Sequence, residues 1–150
     1  MIPMVDLQAQ YQSLKKEIDA AVLDVLASGH YILGPNVKAF EEEAANYLGV
    51  KHVVGVASGT DALYLTMMAE GIKPGDEIIT TPFSFIAACE AIRYLGAKPV
   101  FVDIEADSFN IDVSKIEAAI TPATRAIIPV HLYGHALTMQ PLLDICKKHN

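Results

Sequence analysis

The sequence predicts an α/β fold with a mostly parallel sheet and helices on both faces, on three observations. Short β-branched or apolar runs alternate along the chain with helical segments of about ten residues, the pattern of β–α–β crossovers. The runs are apolar almost throughout, as strands covered on both sides can be. Glycines punctuate the segment ends, at Gly29, Gly49, Gly71, Gly75 and Gly96.

The first element is a helix. Tyr11, Leu14, Ile18, Val22, Val25 and Leu26 recur at helical spacing between Leu7 and Ala27, and Ser28-Gly29 stops the run. His30–Pro35 reads as an extended loop. A second helix starts near Asn36, with Val37, Phe40, Ala44 and Leu48 on one face and Gly49 as its stop. A strand is expected over His52–Val56, then a helix from Gly59 to Glu70 ended by Gly71. Lys73-Pro74-Gly75-Asp76 is a turn in which proline presets φ and glycine supplies the positive one. Strands at Glu77–Thr80, Lys98–Val102 and Arg125–Val130 alternate with helices at Ser84–Leu95, Asp112–Ala119 and Met139–His149. A leading helix before any strand is unusual for a doubly wound domain and suits packing on another subunit or domain. The closing helix has the look of one leading into a further strand. An open parallel edge there would stay uncovered, so a piece of a longer protein is expected.

Composition bounds the function. The chain has 150 residues, a net charge of -7 and 52% apolar residues, enough for one compact soluble core. The acidic balance argues against nucleic acid, whose phosphates call for a basic surface. No apolar run approaches the roughly 18 residues of a membrane span. Met1–Asp6 lacks the basic and apolar blocks of a secretory signal. Cys89 and Cys146 match no metal or CxxC spacing and read as reduced core thiols of a cytoplasmic protein, with no metal site expected.

Three strand-to-helix turns hold the candidate chemistry. In Val56–Leu63, small residues open a helix whose first amides are unpaired, a setting that can cradle a phosphate. Gly59 permits close approach, and the hydroxyls of Ser58 and Thr60 can donate. The plainer alternative is that Ser58 caps the helix and Asp61 complements its dipole. In Thr80–Ala88, Phe85 either stacks on a planar ring at the carboxyl edge of the sheet or anchors the loop in the core. In Pro129–His135, His131, Tyr133 and His135 can line a polar pocket, or His131 simply hydrogen-bonds in the core. His52 and His149 read as surface or packing residues, and Glu41-Glu42-Glu43 as a solvated helix face.

Together these segments resemble the DegT/DnrJ/StrS-type sugar aminotransferases, a branch of the aspartate aminotransferase-like (fold type I) pyridoxal-phosphate enzymes. The resemblance runs through Val5-Asp6-Leu7, Tyr31–Pro35, Phe40-Glu41, Ser58–Leu63, Pro74–Ile78, Phe83-Ser84-Phe85, Leu95–Val100 and Ile128–Gly134. It implies the large domain of that fold, incomplete here and preceded by the N-terminal helix. Residues 1–36 would form that helix with a substrate and dimer loop. Residues 37–150 would be the first part of the domain binding pyridoxal 5'-phosphate, with its remainder and the small C-terminal domain absent.

By position, the resemblance assigns the cofactor phosphate to Gly59 and Thr60 beside Asp61, the ring-stacking aromatic to Phe85, and the sugar to Tyr31; the turns themselves add Ser58 to the cofactor residues and His131 to the substrate residues. It implies transamination of a UDP- or dTDP-linked keto-sugar for amino-sugar biosynthesis, with glutamate as amino donor, in a homodimer. The family's Schiff-base lysine and pyridinium carboxylate would lie beyond residue 150. Lys51, Lys73, Lys98, Lys115, Lys147 and Lys148 fall outside any matching motif. The rivals are a sugar dehydratase of the same fold, a non-catalytic α/β binding module, and a flavodoxin-like nucleotide binder, which the long first helix disfavours.

Overall fold

The computed structural model describes residues 4–149. Met1–Pro3, within the Met1–Asp6 stretch expected to lack a secretory signal, and Asn150, the end of the expected 37–150 span, lie outside the described residues. The chain divides into two compact units, the first ending at Gly55 and the second beginning at Val56.

The first unit is built on α1 (Leu7–Ser28) and α2 (Pro35–Leu48). Asp6 caps α1 by accepting from the Ala9 amide at 2.9 Å, and Gly29 closes it at φ 69. Pro35 opens α2 at the position where its missing N–H is no loss, and Gly49 ends it at φ 67. No residue of α1 is buried. His52–Val56, expected as a strand, forms none: the Gly55 amide donates to Glu41 Oε1 at 2.7 Å instead of to a neighbouring strand. The same bond corrects the reading of Glu41–Glu43 as a uniformly solvated run, because Glu41 is half-buried while Glu42 and Glu43 are exposed.

The second unit carries α3 (Gly59–Ala69), β1 (Glu77–Thr80), α4 (Ala87–Tyr94), β2 (Lys98–Phe101), α5 (Val113–Ala119), β3 (Thr124–Ile127) and α6 (Met139–His149), with a short 3-10 turn at Leu132–Gly134 before α6. The strands form one parallel sheet in the order β2-β1-β3. Pairing continues a step past the formal ends, through Val102 N–H to Thr80 O at 2.9 Å and Ile128 N–H to Ile79 O at 2.8 Å. Pro99 is tolerated in β2 because that strand lies at an edge of the sheet.

Successive side chains of a strand face opposite ways, and β1 uses this fully. Ile78 packs with Met67, Ala91, Ile92 and Ala97 beneath α3 and α4. Ile79 packs with Val102, Ile111, Ile116 and Leu142 beneath α5 and α6. Helices thus cover both faces, as expected. Gly96 ends the α4 turn at φ 72, where a Cβ would come within 2.8 Å of Pro74 Cγ. Only glycine fits that approach of the 73–76 turn.

Two readings need correction. Helix α4 starts at Ala87 rather than Ser84: the buried Thr81 hydroxyl accepts from the Phe83 amide at 3.2 Å, and the resulting turn holds residues 82–86 out of the helix. The cysteines are free thiols, but Cys146 is exposed and Cys89 only half-buried, so neither is a core residue. Burial nevertheless pushes the Cys89 thiol above its ordinary range. Among the described residues no helix is long and apolar enough to cross a membrane.

Candidate functional site

Topology fixes where two of the three turns meet. The segments after β1 and β3 leave the carboxyl ends of adjacent parallel strands, so they are neighbours. Helix α3 returns through a short turn into the start of β1 and packs on it through Leu63, Tyr64 and Met67. Its eleven residues span about 16 Å. A four-residue strand spans roughly 13 Å, so the helix is long enough to reach from the amino edge of the sheet to its carboxyl edge.

At that N-terminus Ser58 is the cap. Its hydroxyl accepts from the Asp61 amide at 3.0 Å and donates to Asp61 Oδ2 at 3.0 Å. The Ala62 amide goes to Ser58 O at 3.0 Å. Among the described residues no acceptor takes the amides of Gly59 and Thr60, the first two of the helix. The space before Gly59 is open, since a Cβ there would meet no atom within 4 Å. Capping and anion binding are therefore compatible: the cap satisfies the Asp61 amide and leaves its predecessors to face outward.

Phe85 is not a core anchor. It is 77% exposed and lines an open cleft of about 410 Å³ with Pro82, Phe83, Ser84, Val130, His131, Leu132 and Tyr133. His131 is exposed and fixed by its neighbours, with Nδ1 accepting from the Leu137 amide at 3.0 Å. A neutral imidazole that accepts at Nδ1 carries its proton at Nε2, so the free nitrogen is a donor. Tyr133 sits at φ 52, a conformation uncommon outside glycine and asparagine, and is 90% exposed. His135 lines a separate depression with Glu105, Ser108 and Asn110, not this cleft. Ser58, Gly59, Thr60 and Asp61 do not line the cleft either, although they belong to the same unit. Tyr31 belongs to the first unit, where its hydroxyl donates to Leu26 O at 3.1 Å.

The chain matches a known family over residues 12–150, described as the DegT/DnrJ/EryC1/StrS aminotransferase family. The chain belongs to that family. It is 46% identical to the UDP-2-acetamido-2-deoxy-3-oxo-D-glucuronate aminotransferase of Pseudomonas aeruginosa over 99% of its own length and 42% of that protein's. Among solved structures, it superposes on DesV of S. venezuelae with a TM-score of 0.95 at 46% identity, covering 99% of this chain and 40% of that one. NtdA of Bacillus subtilis, solved with bound PMP, gives a TM-score of 0.94 at 36% identity, covering 99% of this chain and 34% of that one. The chain thus spans 34–42% of the length of these relatives.

For a DegT/DnrJ/EryC1/StrS family member, the lysines matter by where they lie. None of them lines the cleft. Lys98 opens β2 at the amino edge of the sheet, the edge opposite the cleft, and pairs with Glu77 at 2.8 Å. Lys115 pairs with Asp112 at 2.9 Å, and Lys148 with Glu117 at 2.5 Å. Among the described residues no cluster of histidine, cysteine and acidic side chains could hold a metal.

One residue escaped the sequence reading. Asn110 is 2% exposed; its Nδ2 donates to His135 O at 3.0 Å, and its Oδ1 accepts from the Leu132 amide at 3.0 Å. Both partners are backbone groups more than twenty positions away. No local pattern could reveal that pairing.

Proposed function

We propose that this chain supplies the phosphate- and ring-binding part of a pyridoxal 5'-phosphate site in an aminotransferase that acts on a UDP- or dTDP-linked keto-sugar, with glutamate as amino donor. The observation that carries the reading is the open start of α3, where no described acceptor takes the Gly59 and Thr60 amides, in the same unit as a cleft walled by the exposed Phe85. That donor set fits the group: amides and a helix dipole for a phosphate dianion, an unburied aromatic face for a planar ring. The named activity of the P. aeruginosa relative and the PMP held by NtdA support it.

When bound, pyridoxal 5'-phosphate supplies an electron sink, and the protein supplies position and electrostatics. In this reading the Gly59 and Thr60 amides and the Thr60 hydroxyl hold the phosphate. Ser58 and Asp61 shape the cradle by their mutual hydrogen bonds, which leave the preceding amides facing outward. Phe85 lies against the ring, and Pro82, Val130 and Leu132 exclude water from the cleft wall. His131, held through Nδ1, offers its Nε2 proton to a sugar oxygen. Tyr31 and its loop serve the sugar, and the apolar face of α1 serves a second copy in a cytoplasmic homodimer. The physiological setting is amino-sugar and polysaccharide biosynthesis.

Equilibrium dialysis of the intact protein against pyridoxal 5'-phosphate tests the cradle. Thr60→Ala is expected to weaken retention roughly tenfold, the worth of a hydrogen bond to a charged group. Unchanged affinity would remove Thr60 from the site. The loaded protein should be yellow and bleach on addition of glutamate; a colour that persists argues against transamination from that donor.

A further inference from the structure

We infer that Phe109 and Asn110 form a positioning bracket, holding the two walls of the Phe85–His131 cleft at a fixed separation. The functional meaning rests on the reading of that cleft as the ring-binding site. One wall is the 82–85 segment and the other is residues 130–133. They leave different strands and share no hydrogen bond among the described residues. Both are tied instead to adjacent residues of the loop between β2 and α5. Phe109 stacks on Phe83 of the first wall, with ring centroids 6.0 Å apart and planes at 29°. Asn110 holds the second wall through the Leu132 amide and anchors the chain just beyond it through the His135 carbonyl.

The bracket is itself rigidly mounted. Ile104 and Ile111 bridge the base of the loop, the Glu105 amide bonds Asn110 O at 2.9 Å, and Ile111 is fully buried in the core under α5 and α6. Phe109 adopts φ 58, a left-handed conformation that a bulky residue takes only when its surroundings impose it. A glycine would relax that backbone. The chain instead keeps an aromatic side chain there, and the stack on Phe83 is what the strained backbone delivers. The side chain of Phe109 points to one wall while the next residue holds the other. Asn110 would act through His131 and Tyr133, which makes it a positioning residue and not a catalytic one.

Two variants of the intact protein separate positioning from simple folding. Asn110→Ala removes the grip on the second wall; Phe109→Gly removes the stack while relieving the strained φ, and so keeps the fold available if the first variant is unstable. In the ligand-free protein, amide exchange by NMR should show about a tenfold loss of protection at Leu137 in Asn110→Ala, and at Phe83 in Phe109→Gly, the scale of one lost hydrogen bond. Neither amide is hydrogen-bonded to the altered side chain. With pyridoxal 5'-phosphate added, both variants should bind about tenfold more weakly, with a reduced induced circular dichroism band per bound cofactor. Thr60→Ala should lose affinity yet keep the band. Unchanged exchange at both amides would overturn the bracket, as would loosened walls with wild-type affinity and band. A wild-type protein that fails to bind the cofactor would sink the site reading alone, and the exchange data would still decide the bracket.

Discussion

Ser58 shows how one side chain can serve a fold and a site together. Its hydroxyl satisfies the Asp61 amide and holds the Asp61 carboxylate, so the start of α3 is fixed before any ligand arrives. Ser58→Ala is expected to cost about 1 kcal/mol, the usual worth of a serine N-cap, read as a lower urea midpoint at unchanged slope. The sequence exposed this residue well, because Ser-Gly-Thr-Asp before an apolar run is a local signal for a helix start. Sequence reasoning also placed Phe85 at the carboxyl edge, but left its direction open; only the Thr81-anchored turn, which delays α4, decides that it faces outward. Asn110 lay beyond such reasoning, since its role depends on backbone groups brought near by tertiary folding.

At the scale of elements, Glu77 links the amino edges of the strands. Its carboxylate receives Lys98 Nζ at 2.8 Å from β2 and the Thr121 hydroxyl at 2.6 Å from the turn before β3. Lys98 first and Thr121 second hold this carboxyl below its ordinary value of 4.5. Because the folded-state value lies under the unfolded one, the stabilisation is complete above about pH 4.5 and is lost as pH falls through the lower folded value. Glu77→Gln should therefore flatten the acid limb of the Tm against pH curve, measured by circular dichroism melts. An unchanged limb would show that other carboxylates govern acid unfolding. Helix limits were largely legible, because Asp6, Ser58 and Asp112 accept from amides near their helix starts and Gly29 and Gly49 supply left-handed ends. The His52–Val56 strand was misjudged for a general reason. A β-branched run favours a strand only where a partner edge exists, and here Glu41 takes the Gly55 amide.

Across the whole molecule, apolar surface is distributed unevenly. The sheet unit buries Ile78 and Ile79 under helices on both sides, whereas α1 leaves Leu14, Val22, Leu23 and Leu26 between 44% and 63% exposed. An apolar helix face of this kind is the surface that the proposed homodimer would use. Val22→Asp combined with Leu26→Asp, one turn apart, should convert a dimer to a monomer in sedimentation velocity. A doubly substituted protein that still sediments as a dimer would place the interface elsewhere. The parallel sheet, its order of elements and its double covering were readable from alternating segments, while the depth of each core required knowing which way Ile78 and Ile79 point. Those neighbouring isoleucines have a kinetic consequence. Strand β1 is hydrogen-bonded to both other strands and belongs to both cores, so neither half can condense ahead of it. Refolding of this unit should proceed through one shared nucleus, with the opposite sides gaining protection at the same rate.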